Sequence, residues 1–153
     1  MTIWSPKPVP RRQPGWEGKA LAVLGRHMAL PITWGLSDCL SVPADLCRAM
    51  TGVVILPQHL RRYRTEAGAM RLLLKAGFSD VEEALNAAFP RLAGVAQARR
   101  FDAGIVERKD EAGRPVLATV IITQGGQAIG RDQAGMVLVP QLTLRSAFAI
   151  GAR

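Results

Sequence analysis

The feature that most limits the fold is a change in hydrophobic pattern at Pro90. Before it, apolar residues recur at helical spacing; after it, short β-branched runs alternate with turn residues. Residues 17–30 read as a helix with Ala20, Leu21, Leu24 and Met28 on one face, stopped by Pro31. Residues 33–37 form a turn. Residues 38–50 read as a second helix ended by Gly52, in which Pro43 demands either a start near Ser41 or a kink. A loop with a basic cluster fills 53–64. Thr65 can cap a third helix to residue 76, with Ala67, Met70 and Leu74 as its stripe and Gly77 at its end. Ser79 is placed to cap a fourth helix, with Glu82 completing a capping box and Val81, Ala84, Leu85 and Ala88 on its apolar face. Strands are expected at 103–107, 116–123, 127–130, 136–139 and 145–150, joined by turns at 109–114 and 124–126. Helices first and sheet second give an α+β class, with helices packed on an antiparallel sheet rather than a doubly wound fold.

The 153 residues, 48 % apolar and 21 % charged, suit one domain with its own core. That domain is expected over 16–153. Residues 1–15 form an N-terminal arm whose Pro6, Pro8, Pro10 and Pro14 favour an extended chain. Trp4, in the arm, reads either as an anchor for a neighbouring subunit or as a side chain that folds back on its own domain. The arm has no apolar core like that of a signal peptide, and no apolar run is long enough to span a membrane.

Twenty basic residues against 12 acidic ones give a net charge of +8, most of it on Arg. Such charge fits nucleic acid, anionic lipid, an acidic partner protein or a solvated surface. The basic groups are spread along the chain, as Arg61, Arg62 and Arg64, then Arg99 and Arg100, then Arg108 and Lys109. Aromatic residues make up only 5 %, so the stacking pattern of single-strand binders is missing and nucleic acid is a weak expectation. The chain holds only two His and two Cys, so a closed zinc site of these ligands would need all four in one place, and no metal or cofactor is expected. Cys39 and Cys47 lie eight apart near one helix, about 12 Å at helical rise, too far for a disulfide. Two free thiols suit synthesis in a cytoplasm.

One turn carries chemistry: Trp34-Gly35-Leu36-Ser37-Asp38-Cys39, just before the second helix. A Cys at a helix N-terminus meets free amides and the positive end of the macrodipole, which favour a thiolate nucleophile. Gly35 allows close backbone approach of a substrate, and Asp38 can cap the helix and hold the loop. The same Cys also reads as a buried structural thiol.

The string Trp34-Gly35-x-x-Asp38-Cys39 resembles the nucleophile motif of the NlpC-type cell-wall peptidases, which have a papain-like fold. More of the chain resembles an uncharacterised branch of that superfamily found in the tail gene clusters of bacteriophages and gene transfer agents. The matching strings are Ala44-Asp45, Thr51-Gly52, Arg62-x-Arg64-Thr65, Gly68-Ala69, Arg71-Leu72, Phe89-Pro90-Arg91, Ala96-Gln97, Gly135-Met136-Val137, Val139-Pro140 and Ala147-Phe148. Together they cover residues 16–150. The resemblance implies that Cys39 stands at the nucleophile position, that a His follows on the first strands, and that a polar residue lies on the next. It also implies a place at a phage tail tip, where related domains cut peptidoglycan or serve as structural parts.

The sequence departs from that pattern where the His belongs. Val116, Leu117, Ala118 and Thr119 occupy the strand, and none is a His. His27 precedes the motif and reads as a helix-end residue; His59 falls in the basic loop. Either would have to approach Cys39 through space in a noncanonical dyad. Gln127 stands near the third polar position, or is simply an edge-strand residue. Asp102 matches a Gly-Asp pair of the relatives, but Phe101 replaces the Gly. Pro43 removes a backbone donor just after the nucleophile position, and Cys47 reads as a core thiol. The reading is therefore a tail-tip or baseplate component on an NlpC-like fold without the catalytic His. It would be made in the host cytoplasm and carried in the virion tail, touching neighbouring tail proteins through Trp4, Arg61, Arg62 and Arg64. The alternatives are an active peptidoglycan peptidase or amidase using Cys39, and a nucleic-acid-binding module.

Overall fold

A computed structural model of the chain describes residues 11–110, 112–132 and 134–152. The helices are α1 (Trp16–Met28), α2 (Ser41–Thr51), α3 (Glu66–Lys75) and α4 (Val81–Ala88). The strands are β1 (Ala103–Lys109), β2 (Pro115–Ile122), β3 (Gln127–Asp132), β4 (Gly135–Pro140) and β5 (Ser146–Phe148). They form one antiparallel sheet in the order β4-β3-β2-β1-β5. The architecture is α+β, and the elements follow the expected segregation.

Side-chain alternation divides the core into two layers, as a sheet with both faces covered requires. Ala103, Ile105, Ile121 and Phe148 face the helices and join the main core with Leu24, Leu46, Met50, Leu73 and Leu85. Val106, Val120, Ile122 and Ala128 face the other way, against Leu144, with Val95 and Ala98 packed beside them.

Local caps account for the helix ends. The Thr65 side chain accepts from the Gly68 amide at 3.0 Å, as expected. The fourth cap falls one residue later than expected. Asp80 accepts from the Glu83 amide at 2.8 Å, and Glu83 reaches back to the Ser79 amide at 2.7 Å. Asp80 is itself a strong N-cap and takes the position from Ser79. Glu82 is thereby free to accept from Ser146 Oγ at 2.6 Å and to pair with Arg145 at 3.3 Å, tying α4 to β5.

The arm does not end at Gly15. Arg12 donates to the carbonyls of Ile150 and Arg100 at 2.9 and 2.8 Å and pairs with Asp102 at 2.9 Å. The Gln13 amide binds the Met50 carbonyl at 2.8 Å. Residues 11–14 thus belong to the domain, held by side-chain and backbone partners that the Pro-rich composition of the 1–15 segment does not announce. Trp4 lies outside the described residues.

Phe101 is the one described non-glycine residue with positive φ, at 68°. Its ring is buried and meets Trp16 edge to face at 6.0 Å. The position demands a left-handed backbone that Gly accepts freely, and burial of the ring compensates the strain.

Candidate functional site

The turn before α2 is organised by Asp38. Its Oδ1 accepts from the amides of Leu40 and Ser41 at 2.8 and 2.9 Å, and its Oδ2 from the Gly35 amide at 2.8 Å. Ser41 Oγ returns the contact by accepting from the Asp38 amide at 2.8 Å, which closes a capping box. Tyr63 donates its hydroxyl to the same carboxylate at 3.0 and 3.2 Å. Burial and the facing Asp38 charge push the Tyr63 pKa far up, so Tyr63 stays a donor. One buried carboxylate thus caps the helix, shapes the turn and fastens it to the 61–64 loop.

Pro43 finds its explanation here. Helical geometry would have residue 43 donate to the Cys39 carbonyl, and Pro cannot. Thr119 Oγ1, on β2, donates to that carbonyl at 3.1 Å instead. Regular helix begins at Ser41, as the later-start reading requires, and the missing bond is replaced from the sheet.

Cys39 sits at this junction, half-buried. The surroundings of the thiol oppose the ionisation that a helix terminus would favour, as the structural-thiol reading has it. Burial pushes the thiol pKa strongly up, and the Asp38 charge adds to it. The capping carboxylate takes the Leu40 and Ser41 amides and places negative charge where a thiolate would form, which the Cys39 amide offsets only in part. Arg131, on β3, opposes this through its charge, but its guanidinium is committed. It donates to the carbonyls of His27 and Leu30, both at 2.9 Å, and so closes the C-terminal end of α1.

Neither His serves Cys39. His27 is buried, with Nδ1 2.6 Å from Ser37 Oγ and Nε2 2.8 Å from Asp45 Oδ2. Both ring nitrogens are occupied: His27 lies in the last turn of α1, as the helix-end reading has it, and also belongs to a buried polar chain. Asp45 extends that chain to Arg61, whose guanidinium lies 2.8 Å from Oδ1. Burial opposes ionisation of Asp45, but the His27 hydrogen bond and the Arg61 charge outweigh it and hold its pKa below the usual carboxylate range. Ser37 is fully buried, so this Ser-His-Asp chain offers no exposed nucleophile. His59 is exposed in a short 3₁₀ turn at Gln58–Leu60.

The remaining expected site residues separate. Trp34 is half-buried against the main core. Gly35 has φ of 90°, and a side chain there would strike the Tyr63 and Arg61 carbonyls and the Arg64 guanidinium. What approaches Gly35 closely is the protein's own loop rather than a substrate. Arg61 was expected on a contact surface and is instead buried, donating to the Leu56 carbonyl at 3.0 Å besides its pair with Asp45. Arg64 folds back on the carbonyls of Arg61 and Tyr63. Arg62 is exposed and has no ion pair among the described residues. Gln127 is exposed at the start of β3. Asp102 is buried and accepts from the amides of Arg99 and Ile150, joining the arm to the sheet's end.

Sequence reasoning missed Ser37, Tyr63 and Arg131 as parts of this junction. A signal for Arg131 exists: it shares the helix-facing side of β3 with Ile129 by strict alternation, where a long cation must find carbonyls. Among the described residues no group of His, Cys, Asp or Glu is gathered as metal ligands would be. No described helix is long and apolar enough to cross a membrane.

No curated protein and no solved structure matches the chain. Residues 11–150 match a family described as a domain of unknown function, DUF6950. The match begins at the docked end of the arm and spans both the Cys39 turn and the sheet that abuts it, and the chain belongs to that family.

Proposed function

We propose that this chain is a structural component of a bacteriophage-type tail tip or baseplate. In this reading its fold is papain-like and NlpC-type, keeping the nucleophile position and lacking the base. The observation that carries the proposal is the Thr119 hydroxyl on the Cys39 carbonyl. It stands on the strand where the resemblance places the catalytic imidazole. A hydroxyl there can donate to a carbonyl but cannot take a proton from a thiol at neutral pH and return it to a leaving group. The raised Cys39 pKa and the full engagement of His27 support the same reading. The chain is then carried in the virion tail after synthesis in the host cytoplasm. Neighbouring tail proteins meet it through exposed Arg62 and the Trp4-bearing arm.

The second reading is an active cysteine peptidase or amidase on peptidoglycan. It is favoured by the position of Cys39 just before α2, where the residue is not fully buried. Incubating the protein with purified peptidoglycan sacculi and separating released fragments by chromatography distinguishes the two. The structural reading expects wild type and Cys39→Ala to match the blank and both to enter particles normally. Fragments released by wild type and not by Cys39→Ala overturn it. Deleting residues 1–10, which spares Arg11 and Arg12, should weaken incorporation into particles; unchanged incorporation removes the anchoring role of the arm.

A further inference from the structure

An open groove of about 360 Å³ lies between α1 and α2, away from Cys39. Lys19 and Arg26 from α1 and Arg48 from α2 line it, with Gln13, Gln58 and Asp45. The three cations are exposed, and none has an ion pair among the described residues. Like charges gathered without counter-charges raise the local potential and attract an anion. Asp45 does not cancel them, because its Oδ2 is bound to His27 and its Oδ1 to Arg61, both at 2.8 Å.

We infer that this groove binds an acidic peptide segment of a partner protein. Lys19 and Arg26 are two helical turns apart, about 10 Å. That spacing suits two carboxylate side chains three residues apart on a polyproline-II-like extended segment, which rises about 3.1 Å per residue and returns to the same face every third residue. The Gln13 and Gln58 amides each offer donor and acceptor, as peptide backbone groups require. Val23 and Ala49 give the groove an apolar wall for the methylenes of Glu. No aromatic side chain lines it, so it lacks the stacking platform on which nucleic-acid bases are held. The groove is separate from the Cys39 junction, and the inference stands whether or not any bond is cleaved there.

The test uses the full chain and fluorescence anisotropy with labelled hexaglutamate, hexaglutamine and a short oligothymidylate. One triple variant empties the groove of charge: Lys19→Gln, Arg26→Gln and Arg48→Gln. A control triple removes equal charge elsewhere on the surface: Arg71→Gln, Lys75→Gln and Lys109→Gln. All six positions are exposed, and thermal unfolding of each variant checks that the fold is kept. Hexaglutamate should bind wild type, weaken with salt, and bind the groove variant at least about tenfold more weakly, while the control stays within about twofold. Hexaglutamine should bind at least about tenfold more weakly than hexaglutamate. No hexaglutamate binding, or equal loss in both variants, overturns the inference. So does tighter binding of the oligothymidylate that the groove variant abolishes.

Discussion

Removing the Thr119 hydroxyl tests whether the sheet replaces the hydrogen bond that Pro43 cannot make. Thr119→Val keeps the branched shape that β2 accommodates and deletes the donor at 3.1 Å from the Cys39 carbonyl. Stripping a buried carbonyl of its partner costs about 1–3 kcal/mol. Cys39 is half-buried, so water repairs part of the loss and the low end applies, about 1 kcal/mol. For a chain of this length that lowers Tm by about 2–4 °C. Pro43→Ala supplies a backbone N–H four residues after Cys39. It gives up about 0.4–1 kcal/mol of unfolded-state restriction and regains a helical bond. The two changes should therefore couple. In the Pro43→Ala background Thr119→Val should cost less than about 0.5 kcal/mol, since the carbonyl then has a second donor. Urea unfolding of the four proteins, extrapolated to water, measures the cycle. Additive costs, equal within about 0.3 kcal/mol, would refute the substitution of one donor for the other.

Phe101→Gly should relieve a left-handed strain of about 1–2 kcal/mol and lose a buried ring worth about 3–5 kcal/mol, for a net destabilisation of about 2 kcal/mol in urea unfolding; a more stable variant would show that the strain dominates. Arg12→Met leaves Asp102 buried without its guanidinium and should cost about 3 kcal/mol. It should also speed hydrogen exchange at the Ile150 amide, which Asp102 holds; unchanged exchange would detach the arm from the sheet's end. The folded-state pKa of Asp45 is held below its unfolded value near 3.9, so its ionised contribution is complete above that value and disappears as pH falls through the folded pKa. The stability gap between wild type and Asp45→Asn should therefore be widest near neutrality and shrink below about pH 4. A gap that widens on acidification would reverse the assignment.

The α+β class was legible because both periods are local: Ala20, Leu24 and Met28 repeat at helical spacing, and β2 is a β-branched run between turns. Asp38 was legible as a cap because its partners lie two and three residues away. The Ser37–His27–Asp45–Arg61 chain was not, because no local pattern joins a residue on α1 to one on α2 and a third in the 53–64 loop. Arg61 read as surface charge for the same reason. Its burial depends on Asp45, sixteen positions earlier, and composition cannot show which of Arg61, Arg62 and Arg64 turns inward. Gly35 was read correctly as a point of close approach, but the approaching group is the 61–64 backbone.

The central claim is that Cys39 is a thiol without a base. The pH dependence of its alkylation by iodoacetamide, in a Cys47→Ala background and followed by mass spectrometry, tests it most directly. An ordinary free thiol shows half-maximal rate near pH 8.5, and a His-paired catalytic one far below pH 7. With burial and Asp38 both opposing ionisation, the rate should remain negligible at pH 7 and still be climbing at pH 10. A plateau reached below pH 7 would mean that a cation or base activates Cys39, and would contradict the account.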